Sequence, residues 1–214
     1  MDRRHLLLGL ALAAVPQLAL AGTKPPVPLS KVFVFLDKYL ALPTAERNRF
    51  GPVYAILVDD KPAPGLKAVI LEADGRRTPL VLGPDGRPKA LPTLAQLQTA
   101  KLEVDVPATT KMGIRLSIVP LLPLTQDLSA KDLDLAIAQA NRGVSSIAGP
   151  MRFAVPKLQG VGFVGAGSGT LRFADGKETP LRLSNGVPIY DPKLAKGAVA
   201  VVLARAPSKL EFKD

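Results

Sequence analysis

One stretch of this sequence occurs twice in similar form, and this repetition constrains the fold more than any other feature. Residues 73–94 and 174–194 align with a single gap at Gly83, and 11 of the 21 aligned pairs are identical. A chance alignment at ordinary composition would give about one or two identities. Each copy would be roughly 100 residues long, close to the size of a small domain, so we predict an internal duplication. Weaker similarity extends on both sides, pairing 50–58 with 148–156, 106–112 with 206–210 and, in pattern only, 29–42 with 128–141.

The repeated stretches carry Asp-Gly or Asn-Gly pairs between runs of β-branched and aliphatic residues. Both residues of such a pair tolerate positive φ, so these pairs favour tight hairpin turns. Strands joined by tight turns pair antiparallel. The four pairs are Asp74-Gly75, Asp85-Gly86, Asp175-Gly176 and Asn185-Gly186.

Each copy is expected to begin with a short amphipathic helix. Ser129 precedes Asp132 by three residues, a capping-box spacing, and Ser30 takes the same place in the first copy. The predicted fold class is therefore α+β and β-rich, with two tandem pseudo-repeats, each a short helix followed by antiparallel strands with tight hairpin turns. Strands are expected at 52–58, 66–72, 77–82 and 101–106, with a further strand and the junction between copies in 112–126.

The N-terminus is typical of a signal peptide. Arg3 and Arg4 precede an apolar run from Leu6, which ends at the small-x-small site Ala19-Leu20-Ala21. We expect residues 1–21 to be removed on export, most simply to a bacterial periplasm, and no transmembrane segment to follow. Twin-arginine and general export both remain open, since paired basic residues occur in both kinds of signal.

The remaining chain is expected to divide into a first repeat unit, 22–123, and a second, 124–214, with one merged domain as the alternative. Cysteine is absent, so packing alone must hold the exported protein together. Cleavage removes two arginines and one aspartate, and the net charge falls from +10 to +9. Such a charge keeps a protein soluble and also favours anionic partners.

The glycine-rich segment at Gly160, Gly162 and Gly165 fits the dinucleotide-binding pattern G-x-G-x-x-G. That pattern binds phosphate only where a helix follows the glycines. Here the residues after Gly169 have the composition of a strand and a turn. We therefore interpret the segment as a flexible or bulged hairpin and expect no nucleotide cofactor.

Composition excludes several catalytic chemistries. The only histidine is His5, inside the predicted signal, and there is no cysteine. Triads that use histidine, cysteine nucleophiles and His/Cys zinc sites are thereby excluded from the mature chain. The densest acidic pair, Asp59-Asp60, is expected in a solvated loop. We predict no catalytic, cofactor-binding or metal-binding residues, and no cofactor.

The predicted function is that of an exported, non-catalytic binding or envelope-interaction protein of unknown ligand. One alternative is a hydrolase that uses carboxylates or lysine, and a third hypothesis is a structural adaptor that pairs through an exposed strand edge. Partners could be an anionic envelope surface or another envelope protein, and no nucleic acid is expected. The candidate contacts to an anionic surface are Arg76, Arg77, Arg87 and Lys89, in two turns at the ends of one strand.

Overall fold

The structure, a computed structural model, describes residues 24–214 except for the side chains of residues 151, 152 and 154. The predicted signal peptide lies outside the described residues. The fold is β-rich, with 15 strands in four antiparallel sheets and a few helices, which confirms the predicted α+β class.

The described part of the first half, residues 24–123, contains seven strands and four short helices. Its strands are β1 (Val27–Pro28), β2 (Phe50–Val58), β3 (Lys61–Pro62), β4 (Ala68–Leu71), β5 (Arg77–Pro79), β6 (Lys101–Val104) and β7 (Met112–Pro120). Its helices are α1 (Leu29–Val32), α2 (Leu36–Ala41), α3 (Thr44–Arg47) and α4 (Leu94–Thr99).

The second half contains eight strands, one long helix and one 3₁₀ helix. Its strands are β8 (Asp127–Ser129), β9 (Gly160–Val164), β10 (Gly169–Phe173), β11 (Glu178–Pro180), β12 (Arg182–Ser184), β13 (Val187–Tyr190), β14 (Ala198–Leu203) and β15 (Lys209–Lys213). Its helices are α5 (Ala130–Ala148) and the 3₁₀ helix Gly149–Ala154.

Each half contributes two sheets. In sheet 1, the opening strand β1 pairs with β6, β6 with β4, and β4 with β5. In sheet 3, the opening strand β8 pairs with β14, β14 with β10, and β10 with β11. Sheet 2 has the order β3-β2-β7, and sheet 4 has the order β12-β13-β9-β15.

The hairpin turns form where the sequence predicts them. Gly75 and Gly176 have φ of 85° and 83°. The Gly75 N–H donates to the Glu72 carbonyl, and the Gly176 N–H donates to the Phe173 carbonyl. In the second pair of turns, Asn185 and Gly186 both have positive φ and form a two-residue turn. The first-half counterpart is one residue longer, because the Gly83 N–H bonds to the Arg87 carbonyl around Pro84–Gly86. This extra residue accounts for the single gap in the sequence alignment.

The helices differ from the prediction. In the first half, the expected helix is broken into α1 and α2. Ser30 is not an N-cap, because α1 begins after Pro28, whose side chain makes no capping bond. In the second half, α5 is 19 residues long instead of short. Ser129 does cap it, accepting from the Asp132 N–H at 3.3 Å. A further helix, α4, was not predicted, although Thr93 and Gln96 form a complete capping box at its start.

Two other expectations are wrong in detail. Residues 148–156 were matched to strand 50–58, but they form the end of α5 and the 3₁₀ helix. The glycine-rich segment is not a hairpin, because β9 and β10 belong to different sheets, joined by a turn in which Gly165 and Gly167 have positive φ. A strand follows Gly169, so the helix that a dinucleotide site requires is missing from this position.

Helix α5 connects two hydrophobic cores. Leu133 and Ile137 lie in the core of the second half, whereas Ala140 lies in the core of the first. Gly143 allows a close approach to β2, because a Cβ at this position would lie 2.3 Å from Cζ of Phe50.

Polar contacts reinforce this junction. The Gln139 side chain accepts from the Arg49 N–H at 2.7 Å and donates to the Ala45 carbonyl at 2.7 Å. Arg49 also forms an ion pair with Asp132 at 2.7 Å. A helix from the second half is thereby fixed on the first.

Candidate functional site

The four basic residues selected from the sequence lie in two turns that flank β5. Arg76 and Arg77 follow the Asp74-Gly75 turn, and Arg87 and Lys89 follow the next. Three of them are paired with acids: Arg76 with Glu72 at 2.8 Å, Arg77 with Glu103, and Arg87 with Asp85 at 3.0 Å. Much of their charge is therefore balanced locally, and the structure does not gather the four side chains into one site.

Two of these acids, Glu72 and Glu103, have a lowered pKa and stay ionised at neutral pH. Hydrogen bonds from Arg76, Gln96 and Thr78 hold the pKa of Glu72 below its ordinary value of 4.5. A hydrogen bond from Arg77 lowers the pKa of Glu103 in the same way. A general acid needs a raised pKa instead, so these carboxyl groups act as ion-pair partners.

Asp59 and Asp60 form the two-residue turn between β2 and β3, both with positive φ. Both are exposed, and Asp60 pairs with Lys111 at 2.6 Å. Within residues 24–214, no three His, Cys, Asp or Glu side chains group closely enough to hold a metal ion. No helix in the same range is long and apolar enough to cross a membrane.

A cavity of about 320 Å³ with an almost wholly apolar lining lies between the two halves. We call it the apolar pocket. It lies where α2, β2 and β7 of the first half face the C-terminal end of α5. Its lining residues are Phe35, Tyr39, Phe50, Pro52, Leu116, Ile118, Val144, Ile147, Ala148 and Val155.

The only side-chain polar atom that these lining residues bring to the pocket is the Tyr39 hydroxyl. It already donates to the Phe50 carbonyl at 2.9 Å, and burial raises the pKa of this hydroxyl above 10.0. Its proton is therefore held within the protein. Among the described residues, the walls offer apolar contact and no free side-chain donor.

Phe35 stands at the mouth of the apolar pocket in an unusual conformation. It is the last of the three residues between α1 and α2, with φ of 68° and ψ of −5°. A left-handed conformation costs a residue with a Cβ about 1–2 kcal/mol. Phe35 is nevertheless 44% exposed, and Val155, another lining residue, is 38% exposed. Strained backbone that carries an exposed aromatic ring is typical of binding sites.

The sequence did not reveal this pocket. Tyr39 and Phe50 are buried in the core, as apolar residues of a helix and a strand ordinarily are, whereas Phe35 is exposed. The available signal was the run Val32-Phe33-Val34-Phe35, since consecutive β-branched and aromatic residues have low helix propensity. That run could have predicted the helix break, but not which elements would face it.

A second groove of about 400 Å³ lies between the edge strands β7 and β15. Its charged residues include Lys209 and Glu211, which pair with each other at 2.6 Å. Hydrogen bonds from Lys209 and Lys213 lower the pKa of Glu211. The groove's acid is thus already balanced by its own lysines, and the apolar pocket remains the better candidate for a site.

Comparison with known proteins identifies no relative: no family model matches the sequence, and no curated protein or solved structure is significantly similar to it. Function must therefore be argued from the geometry.

Proposed function

We propose that this protein is an exported binding protein, of a bacterial periplasm, whose site is the apolar pocket. The ligand that fits the pocket is a hydrocarbon chain. The observation that carries this proposal is the lining, which is apolar except for a tyrosine whose hydroxyl is internally bonded. Apolar walls stabilise an apolar ligand in proportion to the area removed from water.

The position of the pocket supports the same function. Small-molecule sites occur preferentially at the junction between structural units. Here Phe50 and Leu116 come from the first half, whereas Val144 and Ile147 come from the second. Helix α5 also closes the junction through Gly143, so the walls rest on elements fixed by tertiary contacts.

The volume of the apolar pocket sets the length of the hydrocarbon chain that it can hold. A methylene group occupies about the volume of a water molecule in the liquid, roughly 30 Å³. A cavity of about 320 Å³ therefore accommodates a chain of about ten carbons. Each buried methylene contributes about 0.8 kcal/mol, which corresponds to about a fourfold change in the dissociation constant.

A series of linear primary alcohols from six to fourteen carbons tests this function by isothermal titration calorimetry. The dissociation constant should fall about fourfold per carbon and stop falling near ten carbons, when the pocket is full. Binding should also show a negative heat-capacity change. Affinity that does not depend on chain length would contradict the proposal.

A blocked pocket provides the matched comparison. Val144→Trp places a bulky ring against the lining and should abolish chain binding. Val199→Trp adds the same ring on β14, where Val199 is 49% exposed and outside the pocket, and should leave binding unchanged. Equal loss in both variants would mean that the chains bind elsewhere.

We also propose that residues 22–123 and 124–214 descend from one duplicated unit and now form one merged domain. Support comes from the equal order of strands in sheets 1 and 3 and from their registers. Ile70 pairs with Thr78 and Leu102, and Leu171 pairs with Thr179 and Val201. A chain in which 174–183 replaces 73–82 should fold with a similar melting temperature. Failure of this equal-length exchange to fold would count against duplication.

A further inference from the structure

Lys38 lies at the mouth of the apolar pocket and contacts both of its sides. Its Nζ is 5.7 Å from the ring centroid of Phe35, in cation–π range. The same Nζ donates to the Ile147 carbonyl at 3.3 Å. Phe35 and Ile147 both line the pocket, so the ammonium group is held beside the opening by two lining residues.

The ammonium group has unused hydrogen-bonding capacity. A lysine ammonium carries three donors, and the described residues supply one acceptor, the Ile147 carbonyl. Among residues 24–214, no carboxylate lies within 4.0 Å of Lys38. Two donors are therefore free for an anion at the mouth.

A second cation lies beside a residue that lines the pocket. Arg47 lies 5.5 Å from the ring centroid of Tyr39, another lining residue. Asp37 is near Tyr54, whose pKa is raised mainly by burial and secondarily by that carboxylate. Among residues 24–214, no Asp or Glu side chain lines the pocket. An anionic head group would meet an unbalanced cation at this position.

We propose that Lys38 binds the carboxylate of the ligand, so that the natural ligand is a single-chain carboxylic acid with its hydrocarbon chain in the apolar pocket. This inference rests on the proposed function, because it assigns the head group of the chain proposed there. A carboxylic acid and a lysine carry opposite charges at neutral pH. The two free ammonium donors match the two oxygens of one carboxylate.

A purely structural role for Lys38 predicts different behaviour. The Ile147 carbonyl lies in the last turn of α5, where a cation interacts favourably with the helix dipole. If this were the residue's only role, its removal would lower the melting temperature and leave ligand selectivity unchanged. Selectivity between head groups therefore separates the two roles.

The test compares decanoate, decanol and decyltrimethylammonium by calorimetry at pH 7 in low salt. Native protein should bind decanoate about 1.4- to fivefold more tightly than decanol, the range of an exposed ion pair, and the cationic chain most weakly. Lys38→Met keeps an unbranched side chain without the charge and should bind decanoate and decanol equally. Lys31→Met removes a charge from α1, outside the pocket lining, and should preserve the preference.

Raising the salt concentration to about 0.5 M should reduce the native preference, because exposed charges are screened. Equal binding of decanoate and decanol by native protein would overturn the assignment of Lys38 while leaving chain binding intact. A preference that survives in Lys38→Met would overturn it as well. Absence of binding by all three chains would overturn the proposed function and this inference together.

Discussion

The helical segments of the two halves take the same place after an opening strand, yet one is broken and the other is continuous. Residues 29–47 form three short helices, whereas residues 130–148 form one. Strand pairing shows which residues of the two segments correspond. Val27 pairs with Leu102, which also pairs with Ile70. Leu128 pairs with Val201, which also pairs with Leu171, so Val27 corresponds to Leu128. With this correspondence, the buried residues of the two segments occupy the same positions. They are Leu29, Val32, Leu36 and Tyr39 in the first half, and Ala130, Leu133, Ile137 and Ala140 in the second.

The difference between the segments follows from side chains, not from the buried pattern. Val32 to Phe35 is a run of β-branched and aromatic residues, which lose rotamer freedom in a helix. The corresponding residues of α5 are Leu133, Asp134, Leu135 and Ala136. The break turns Phe35 outward and opens the apolar pocket, and the unbroken helix provides the opposite wall. Asymmetry between similar halves thus creates the candidate site.

The largest expected effect tests whether the halves are energetically one unit. Leu36→Ala and Leu133→Ala each remove a fully buried side chain, one from each helical segment. Each should cost about 2–5 kcal/mol of unfolding free energy. Because α5 contributes to both cores, either substitution should shift a single urea-unfolding transition. Two transitions, of which each variant shifts only one, would show that the halves are separate domains.

Gly143→Ala tests the contact between α5 and the first half. Alanine favours a helix over glycine by about 1 kcal/mol, but its Cβ would lie 2.3 Å from the Phe50 ring. Overpacking of this kind costs about 1–3 kcal/mol, so we expect net destabilisation. The displaced ring should also shorten the longest chain that the pocket accepts. Ser146→Ala, on the exposed side of α5, is the control and should not destabilise. An increase in stability for Gly143→Ala would contradict the close approach.

Two substitutions of Phe35 test whether the backbone is strained at the break in the first helical segment. Phe35→Gly and Phe35→Ala both remove the ring, but only glycine adopts φ of 68° without steric cost. Thermal unfolding should therefore show the glycine variant to be about 1–2 kcal/mol more stable than the alanine variant. Both should bind hydrocarbon chains more weakly than native protein, to a similar extent. Equal stability of the two variants would mean that the conformation is not strained.

The N-termini of the segments differ in their capping. Ser129 accepts from the Asp132 N–H, and its replacement by alanine should cost about 1 kcal/mol in urea unfolding. Ser30 lies inside α1 and makes no capping bond, so Ser30→Ala should change stability by less than about 0.5 kcal/mol. Similar losses at both positions would restore the alignment in which Ser30 and Ser129 correspond.

The smallest effect concerns the exposed hairpins. Glu72 accepts bonds from Arg76, Gln96 and Thr78, which lower its pKa from 4.5. A lowered carboxyl pKa stabilises the fold above the unfolded value, and this stabilisation is lost as pH falls through the lower folded value. Glu72→Gln should therefore be slightly less stable than native protein at pH 7 and equal to it in strong acid. Urea unfolding measures the difference across pH, and a difference that persists in strong acid would contradict this origin.

Glu178, on β11, is a comparable exposed ion-pair partner in the second half, although the sequence alignment places it opposite Arg77 and not Glu72. Its pKa is lowered by Arg172 and then Thr170, one donor fewer than Glu72 has. Glu178→Gln should show the same pH dependence with a smaller amplitude.

The sequence by itself determined the turns and the sheet type. Asp74-Gly75, Asp175-Gly176 and Asn185-Gly186 specify positive φ locally, so their hairpins form where predicted. Ser129 likewise acts on an N–H only three residues away. These features depend on neighbours in the chain, and a neighbour can be identified from the sequence.

Only the tertiary structure decided the length of α5, the placement of β9 and β10 in different sheets, and the apolar pocket. The pocket requires Phe50 and Gly143, 93 positions apart, to touch. Nothing local marks that contact, because glycine inside a helix is locally unfavourable and is explained only by the ring it accommodates. Phe35 could be identified from the sequence as a helix breaker, but its exposure depends on α5 packing beside it. Long-range packing selects among conformations that local propensity leaves nearly equal in free energy, and for this reason the candidate site became visible only in the folded chain.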